Sequence, residues 1–265
     1  RLVRDWSSDV CSSDLDFCGP NWLDQRQEAE AYRERDPTTL VVGGGQAGLA
    51  AAARLTQLGI DTLIVDKHKR IGDNWRQRYH ALTLHNQVQV NHMPYMPFPP
   101  TWPAYVPKDK LANWFETYVE ALELNYWPQT ELVHGAYDPI AQRWTGTLRS
   151  GDDTEQKLCP RDIIMATGVS GIASRPNIPT LDAFQGCVVH SSEYQDSDDY
   201  VGKKAIVIGT GNSGHDIAQD LYSSGADVTM VQRSPTLVVN IEPSAQLRSE
   251  ERRGGKECRS RWSAS

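Results

Sequence analysis

The sequence predicts an α/β protein, chiefly because one unit of strand, glycine-rich turn, helix and strand occurs twice. The chain reads LVVGGGQAGLAAAARLTQLGIDTLIVDK from Leu40 and IVIGTGNSGHDIAQDLYSSGADVTMVQR from Ile206, and the two stretches align without a gap. In each stretch an apolar run leads into a glycine-rich turn, a run of helical character, a glycine and a second apolar run. Strands that alternate with helices in this way are typical of the α/β class.

The glycines of the first copy have the spacing Gly-x-Gly-x-x-Gly between an apolar run and a stretch of helical character. We expect Gly43 to make a tight turn, Gly45 to let a pyrophosphate approach the backbone, and Gly48 to let helix and strand pack closely. The N–H groups and the dipole at the start of the helix then supply an anion site. The sequence therefore predicts a dinucleotide site with a turn made of Gly43, Gly45, Gln46, Ala47 and Gly48.

An acidic residue follows the second strand of the first copy. The run from Asp61 to Val65 is short and rich in β-branched residues, and Asp66 and Lys67 come directly after it. An acidic side chain in this place accepts hydrogen bonds from a ribose. Gly59, just before the run, is expected to end the helix in the left-handed conformation.

The second copy repeats the turn but ends with a different charge. Its predicted turn consists of Gly209, Gly211, Asn212, Ser213 and Gly214, and Gly225 repeats the helix stop. Where the first copy has Asp66-Lys67, the second has Gln232-Arg233, followed by Ser234. Loss of the carboxylate removes a charge that would repel a 2′-phosphate, and Arg233 can make a forked, charge-assisted contact to it. Such a contact is worth about 1.5 to 3 kcal/mol, or roughly 10- to 100-fold in affinity.

Together, the two copies predict two Rossmann-like, three-layer dinucleotide-binding domains, with FAD in the first and NADPH in the second, and with the second domain inserted in the first. We expect a helical lead-in at residues 16–36, the FAD-binding domain at 37–175 and the NADPH-binding domain at 176–247, both incomplete. Residues 1–15 and 248–265 lack apolar periodicity, so we expect non-native flanks or disordered tails there.

The remaining pattern predicts one further helix and an antiparallel region. Apolar residues recur at helical spacing from Lys108 to Leu122, so a helix that buries one face is expected. From about Thr130 to Met165, short apolar segments are separated by turn residues and lead into a strand that ends at Ala166.

The stretch between the repeats is rich in aromatic residues. It contains, in order, Gly72, Trp75, Tyr79, Leu84-His85 and Met96-Pro97-Phe98-Pro99. This order resembles the stretch that covers the flavin in the flavin-containing monooxygenases, in particular the bacterial and fungal members and the plant auxin-forming enzymes. The resemblance implies that Trp75 contacts the cofactor. Many animal-type members carry a flavin-contacting asparagine near Leu84, and His85 and Asn86 are both candidates for that role here.

A second motif of the same family lies in FQGCVVHSSEY. Phe184, Gly186, His190 and Tyr194 match its Phe-x-Gly-x-x-x-His-x-x-x-Tyr/Phe pattern. The last position is usually tryptophan in the related Baeyer-Villiger enzymes, so Tyr194 favours the heteroatom-oxidising or auxin-type branch. The resemblance implies that the motif lies at the junction of the two domains and supports NADPH binding and domain movement. His190 is a candidate for that role, and we do not assign it acid/base chemistry.

A third segment, Ala166-Thr167-Gly168, resembles the Ala-Thr-Gly segment where the family's chain leaves the FAD domain. Thr167 and Gly168 are therefore expected beside the cofactor. The similarity covers roughly residues 37–247, and we expect the family's C-terminal part, which completes both domains, to be missing.

The resemblance implies a specific chemistry. NADPH reduces FAD, oxygen adds to the reduced flavin, and the resulting C4a-hydroperoxide oxygenates a small organic substrate. The cofactor supplies the reactive atoms, while the protein positions the nucleotides and keeps the pocket dry. Two alternatives stay open, namely an NADPH-dependent flavin reductase without oxygen insertion and a nucleotide-binding fragment without turnover.

Composition argues against other classes of function. The net charge of −7 and the 23% of charged residues give no electrostatic reason to expect nucleic acid or an anionic membrane as a partner. No apolar run approaches the roughly 18 residues of a membrane span, so we expect a cytoplasmic protein. The five cysteines form no Cys-x-x-Cys pair and the seven histidines lack HExxH-type spacing, so neither a dithiol centre nor a metal site is expected.

Overall fold

A computed structural model of the protein describes residues 19–169, 171–235 and 238. The helices in these ranges are α1 (Trp22–Glu30), α2 (Gln46–Gln57), α3 (Asp73–Arg76), α4 (Lys108–Ala121) and α5 (Asn212–Ser223). The strands are β1 (Thr39–Val42), β2 (Thr62–Val65), β3 (Thr83–Gln87), β4 (Tyr105–Pro107), β5 (Asn125–Trp127), β6 (Thr130–Asp138), β7 (Arg143–Ser150), β8 (Glu155–Leu158), β9 (Asp162–Met165), β10 (Lys204–Ile208) and β11 (Asp227–Val231). The flanks expected at residues 1–15 and 248–265 lie outside the described residues.

The first repeat copy lies at the centre of a parallel sheet with the strand order β5-β2-β1-β9. Thr39 of β1 pairs with Thr62 of β2 on one side and with Asp162 of β9 on the other. Every residue of β2 is buried. Central strands of parallel sheets are covered on both faces, which accounts for the continuous apolar run from Leu63 to Val65.

Two different layers cover the two faces of this sheet. Successive side chains of a strand point to opposite faces, and Val41 and Ile64 pack against residues of α2 and α4. Leu40 and Leu63 pack on the other face, against the antiparallel sheet with the order β6-β7-β8. Helices, parallel sheet and antiparallel sheet are the three layers predicted for the first unit.

The second repeat copy forms a smaller unit. Strands β10 and β11 pair in parallel over their whole lengths. Helix α5 covers one face of the pair and buries Ile217 and Leu221 there. On the other face, Ile206 is 64% exposed and Ile208 is 55% exposed. The described residues thus give this unit two layers, and its third layer and its insertion into the first unit stay predictions.

The further helix and the antiparallel region are confirmed. Helix α4 ends at Ala121, one residue before the predicted Leu122, and it buries Leu111, Phe115 and Tyr118 on one face. Strands β6, β7 and β8 form the antiparallel excursion. Strand β9 ends at Met165 rather than Ala166, and the Ala166 N–H still donates to the Val42 carbonyl oxygen.

The stretch before α4 has more regular structure than its aromatic motif predicted. It contains α3, followed by β3 and β4, which pair in antiparallel fashion. The helical lead-in contains α1, which begins with a capping box between Asn21 and Asp24. None of the helices in the described part of the chain is long and apolar enough to cross a membrane.

Candidate functional site

The first glycine turn joins β1 to α2, and at two of its glycines the neighbouring backbone leaves no room for a side chain. Gly43 has a φ of +113°, and a Cβ placed on it would lie 2.4 Å from the Ala166 carbonyl oxygen. A Cβ on Gly48 would lie 1.9 Å from the Gly43 carbonyl oxygen. The Gly43 N–H donates to the Val65 carbonyl oxygen at 2.8 Å. Strand, turn and helix are therefore packed backbone against backbone.

The start of α2 offers an anion site. Gly45 precedes the helix with extended backbone, and no side chain among the described residues caps it. Gln46 and Ala47 are the first helical residues, so their N–H groups belong to the set that has no carbonyl partner within a helix. The helix dipole adds a partial positive charge at this end. This cradle fits the diphosphate of a dinucleotide.

Asp66 lies directly after β2 and is only 9% exposed. One carboxylate oxygen accepts from the Gly44 N–H at 2.6 Å, and the other accepts from the His68 N–H at 2.8 Å and lies 2.6 Å from His68 Nδ1. Burial by itself would raise the pKa of Asp66, but the bonds from His68 and Gly44 outweigh it and hold the pKa below its ordinary value. A carboxylate has about four acceptor positions, so one is left for a ligand.

His68 is a residue that the motifs did not indicate. Its ring is held through Nδ1 by Asp66, and its side chain is 22% exposed. The sequence signal that could have indicated His68 was its position two residues after Asp66. The side chain of an Asp in a turn often accepts from the backbone N–H two residues further on. Lys67, between the two, is exposed.

The aromatic stretch packs around the first turn. Gln46 Nε2 donates to the Asn91 carbonyl oxygen at 3.2 Å, and a Cβ on Gly45 would lie 3.3 Å from the Asn74 side-chain nitrogen. Trp75 packs against the core cluster beside α2, and its Nε1 is buried without an acceptor among the described residues. An unpaired buried donor is costly, so this indole N–H is suited to an acceptor on a bound group.

Tyr126 of β5 closes the turn from the other side. A Cβ on Gly44 would lie 2.0 Å from the Tyr126 phenol oxygen. Burial is the largest reason why the pKa of Tyr126 is raised, so the phenol stays protonated. No sequence motif indicated this residue, because β5 belongs to neither repeat.

The second glycine turn has the same backbone geometry as the first. Gly209 has a φ of +111°, and its N–H donates to the Val231 carbonyl oxygen at 2.9 Å. A Cβ on Gly214 would lie 2.5 Å from the Gly209 carbonyl oxygen. Gly211 precedes α5 with extended backbone. The predicted residues Asn212 and Ser213 form the first turn of α5, so this cradle also fits a diphosphate.

Arg233 and Ser234 follow β11 and are exposed. Because the carboxyl ends of parallel strands meet at one edge of a sheet, they lie at the same edge as the second turn. Arg233 occupies the place that Lys67 has in the first copy. The guanidinium is thus accessible to a phosphate group.

The remaining predicted residues lie in the segment between the two units. Thr167 and Gly168 are exposed directly after β9, and the Thr167 backbone nitrogen would be 3.3 Å from a Cβ on Gly43. Phe184 is 57% exposed, and its ring lies over Gly186. His190 bonds locally, with Nδ1 2.8 Å from the Ser192 hydroxyl oxygen. Their predicted cofactor contacts stay predictions.

Tyr194, the last motif residue, is buried at the junction of the two units. It is 5% exposed, and its hydroxyl donates to Asp220 of α5 at 2.6 Å. Its ring centre lies 6.4 Å from that of Tyr79, a residue of the first unit.

His85 and Asn86 lie in different surroundings. His85 Nε2 lies 3.0 Å from a carboxylate oxygen of Asp216 in α5. Asn86 is exposed, and its backbone carbonyl oxygen accepts from the Asn91 side chain at 3.2 Å. The same Asp216 oxygen accepts from the Tyr79 hydroxyl at 2.7 Å. The repeat alignment offers the only sequence signal for Asp216, because the equivalent residue of the first copy is alanine.

Comparisons with known proteins agree with this arrangement. A profile of the family described as "Pyridine nucleotide-disulphide oxidoreductase" matches residues 40–260. Indole-3-pyruvate monooxygenase YUCCA1 from Oryza sativa subsp. japonica is 31% identical over 221 residues, which cover 83% of this chain and 53% of that protein. The chain spans about half the length of the curated relatives it matches.

Solved structures share the fold. A mutant of the flavin monooxygenase from Stenotrophomonas maltophilia matches with a TM-score of 0.70 and 25% identity, over 77% of this chain and 59% of that chain. OTEMO, in complex with FAD and NADP, matches with a TM-score of 0.61 over 76% of this chain and 40% of that chain. Its 22% identity shows a likeness of fold alone.

Proposed function

We infer the function from one established premise: the chain belongs to the pyridine nucleotide-disulphide oxidoreductase family, whose profile matches most of its length. The resemblance to the flavin-containing monooxygenases is confirmed by relatives that carry this activity in their names. We propose that the protein functions as an FAD- and NADPH-dependent monooxygenase that inserts one oxygen atom of O2 into a small organic substrate.

One observation carries this proposal. Two glycine turns of the same geometry lie in units that meet directly, and they differ in the charge beside them. The first turn has the buried carboxylate of Asp66, which suits an unmodified ribose. The second has Gln232 and the exposed Arg233, which suit a 2′-phosphate. A protein with two different dinucleotide cradles in units that contact each other is suited to pass electrons from one nucleotide to the other.

The chain's own residues provide binding and shielding. The backbone from Gly43 to Gly48 would hold the diphosphate of FAD, and Asp66 with His68 would hold its ribose. Trp75 would donate its buried N–H to the same cofactor. FAD, once bound and reduced by NADPH, supplies the oxygen chemistry. Buried aromatic and sulfur side chains near α4 limit the access of water to this side of the fold, among them Met93, Phe98 and Phe115.

The second cradle would hold NADPH. Residues Gly209 to Gly214 would bind its diphosphate at the N-terminus of α5, and Arg233 its 2′-phosphate. Residues Phe184, Gly186 and His190 lie in the segment that leads to this unit, and we propose that they support NADPH binding from there.

The decisive experiment follows the oxygen atom. The full chain is loaded with FAD and supplied with NADPH and 18O2, with a thioether, a tertiary amine and indole-3-pyruvate as probes. Label in the product of one probe supports the proposal. NADPH oxidation with no labelled product indicates a flavin reductase instead. A chain that binds neither FAD nor NADPH overturns the proposal.

A second experiment tests the choice of nucleotide. Arg233→Gln is expected to weaken NADPH binding roughly 10- to 100-fold and to leave NADH binding unchanged, as measured by quenching of intrinsic fluorescence. Arg143→Gln, which removes another exposed arginine at the start of β7, is the matched control. Equal losses for NADPH and NADH in Arg233→Gln would contradict a 2′-phosphate contact.

A further inference from the structure

The junction of the two units contains a carboxylate shared by two side chains of the first unit. Asp216 lies in the second turn of α5, and one of its oxygens accepts from the Tyr79 hydroxyl at 2.7 Å. The same oxygen lies 3.0 Å from His85 Nε2. Tyr79 is 3% exposed, and the side chains of Asp216 and His85 are 23% and 31% exposed. The tyrosine is thus buried, and the carboxylate and the imidazole are partly buried.

Apolar packing surrounds this polar contact. Tyr79 belongs to one buried cluster with Tyr194, Ile217 and Leu221, so the cluster contains residues of both units. The His80 N–H also donates to the Gln195 carbonyl oxygen at 2.7 Å. Hydrogen bonds in such a low-dielectric setting are strong when satisfied and costly when a partner is lost.

Tyr79 donates to the helix that begins at the second glycine turn. Its acceptor, Asp216, is the fifth residue of α5, which follows Gly211 directly. Burial raises the pKa of Tyr79 well above its ordinary value, and so does the bond to Asp216. The hydroxyl therefore keeps its proton and remains a donor to Asp216.

The carboxylate is not a requirement of the repeated unit itself. The first copy has Ala50 at the position equivalent to Asp216, and its helix faces the apolar core with Ala52 and Ala53. Asp216 therefore serves the contact between the units and not the glycine turn that both copies share.

We propose that Asp216 is a positioning residue that, through Tyr79 and His85, fixes α5 and the second glycine turn against the first unit. This sets the affinity of the second cradle for its nucleotide without a contact to that nucleotide. The nucleotide part of the inference depends on the proposed function, whereas the fixing of α5 does not.

The first test uses hydrogen exchange of the full chain without nucleotide. Tyr79→Phe and Asp216→Asn are expected to accelerate exchange in peptides that cover residues 206–216 and 79–90 by roughly tenfold or more, because a hydrogen bond to a charged group is lost. Asp220→Asn is the matched control. Asp220 lies one turn further along α5 and bonds to Tyr194 and Ser197, which precede β10 in the same unit.

The second test separates the two nucleotides. Tyr79→Phe is expected to raise the dissociation constant for NADPH about tenfold and to change that for FAD by less than twofold. His85→Gln, which keeps a donor toward Asp216, is expected to bind NADPH better than His85→Ala. A merely structural role would weaken both cofactors together and would show no such rescue.

The outcomes are distinct. Unchanged exchange at residues 206–216 in both Tyr79→Phe and Asp216→Asn overturns the inference, and so does an equal acceleration in Asp220→Asn. Accelerated exchange in a protein whose unaltered form binds no NADPH retains Asp216 as the positioning residue and rejects the proposed function.

Discussion

The two glycine turns are nearly identical, yet the units around them differ. Gly43 and Gly209 have φ values of +113° and +111°, and each donates its N–H to the carbonyl oxygen of the strand that follows the helix. The first turn belongs to a four-stranded sheet covered on both faces, whereas the second belongs to a pair of strands of which the described residues cover one face. The conformation of the turn is therefore set by its own residues and their near neighbours. How deeply the turn is buried depends on the rest of the chain.

The two units differ most clearly in how deeply they bury residues that share a position in the repeat. Leu40 and Ile206 occupy the same position in the repeat, and they are 0% and 64% exposed. A Cβ on Gly43 would clash with the backbone at Ala166, whereas a Cβ on Gly209 would meet no atom of the described residues within 4 Å. Matched substitutions in the two copies therefore measure how much the surrounding layers contribute to the free energy of unfolding.

The largest effect is expected for Gly43→Ala. The left-handed backbone costs about 1 to 3 kcal/mol for a residue other than glycine, and forced overlap adds about 1 to 3 kcal/mol. We expect a loss of roughly 4 kcal/mol in Gly43→Ala and about 2 kcal/mol in Gly209→Ala, which has only the backbone cost. Six of the eight tryptophans lie between Trp22 and Trp144, so urea unfolding followed by tryptophan fluorescence reports on the first unit.

Hydrogen exchange in β10 reports on the second unit. The loss in Gly43→Ala is therefore measured by tryptophan fluorescence, and the loss in Gly209→Ala by hydrogen exchange in β10. Equal losses in the two variants would show that the Ala166 backbone yields without cost, and the contrast between the units would then not apply to the turns.

Truncation of the strand side chains is expected to have the next largest effect. Leu40→Ala should lose about 3 kcal/mol, because it leaves a cavity between two covered layers. Ile206→Ala should change stability by less than about 0.5 kcal/mol, since its side chain is mostly in water. The loss in Leu40→Ala is measured by tryptophan fluorescence during urea unfolding, and the change in Ile206→Ala by hydrogen exchange in β10. A loss above about 2 kcal/mol in Ile206→Ala would mean that this face is covered in solution.

The pH dependence of stability should distinguish Asp66, near the end of the first copy, from Gln232, its equivalent in the second. The folded pKa of Asp66 is held below its ordinary value of 3.8. The charged form therefore stabilises the fold above that value, and this contribution is lost as the pH falls through the folded pKa. Asp66→Asn is expected to lose about 2 kcal/mol at neutral pH and to show a smaller further loss on acidification. Gln232 in the second copy contributes no such dependence.

Urea unfolding from about pH 7 down to about pH 3 measures this effect. Asp138→Asn is the control, because Asp138, the last residue of β6, also accepts two backbone N–H bonds but is exposed. An acid slope in Asp66→Asn as steep as in the unaltered protein would assign the dependence to other carboxylates.

The smallest effect is expected where the two copies do not differ. Gly59 and Gly225 end α2 and α5 with φ values of +72° and +94°, and in the part of the chain that the structure describes no atom lies within 4 Å of an added Cβ at either position. Gly59→Ala and Gly225→Ala should each lose about 1 kcal/mol, as measured by the same two methods. A difference above about 1 kcal/mol between the two losses would show that the surrounding layers also affect the stability of the helix ends.

Much of the fold was predictable because its signals are local. The repeat predicted both units of strand, turn, helix and strand, and the apolar spacing predicted α4 to within one residue. Turn residues predicted the antiparallel strands. The stretch from residue 72 to 107 was recognised only as a cover for the first site, because its short elements α3, β3 and β4 have no clear periodicity.

The candidate site was only partly predictable. The glycines, Asp66 and Arg233 follow from spacing within one repeat, since their positions depend on a single turn. The roles of His68, Tyr126 and Asp216 depend on partners outside the motif. The sequence left His85 and Asn86 as equal candidates, and the structure directs His85 toward Asp216.

The sequence by itself determined the two glycine turns, their helices and the charges that end them, because backbone sterics and hydrogen bonds between near neighbours suffice for these features. Only the tertiary structure decided which copy is buried, which side chains close each cradle and how the units meet. Tyr79 and Asp216 are 137 positions apart in the chain, and their contact exists only because the packing of both units brings them together.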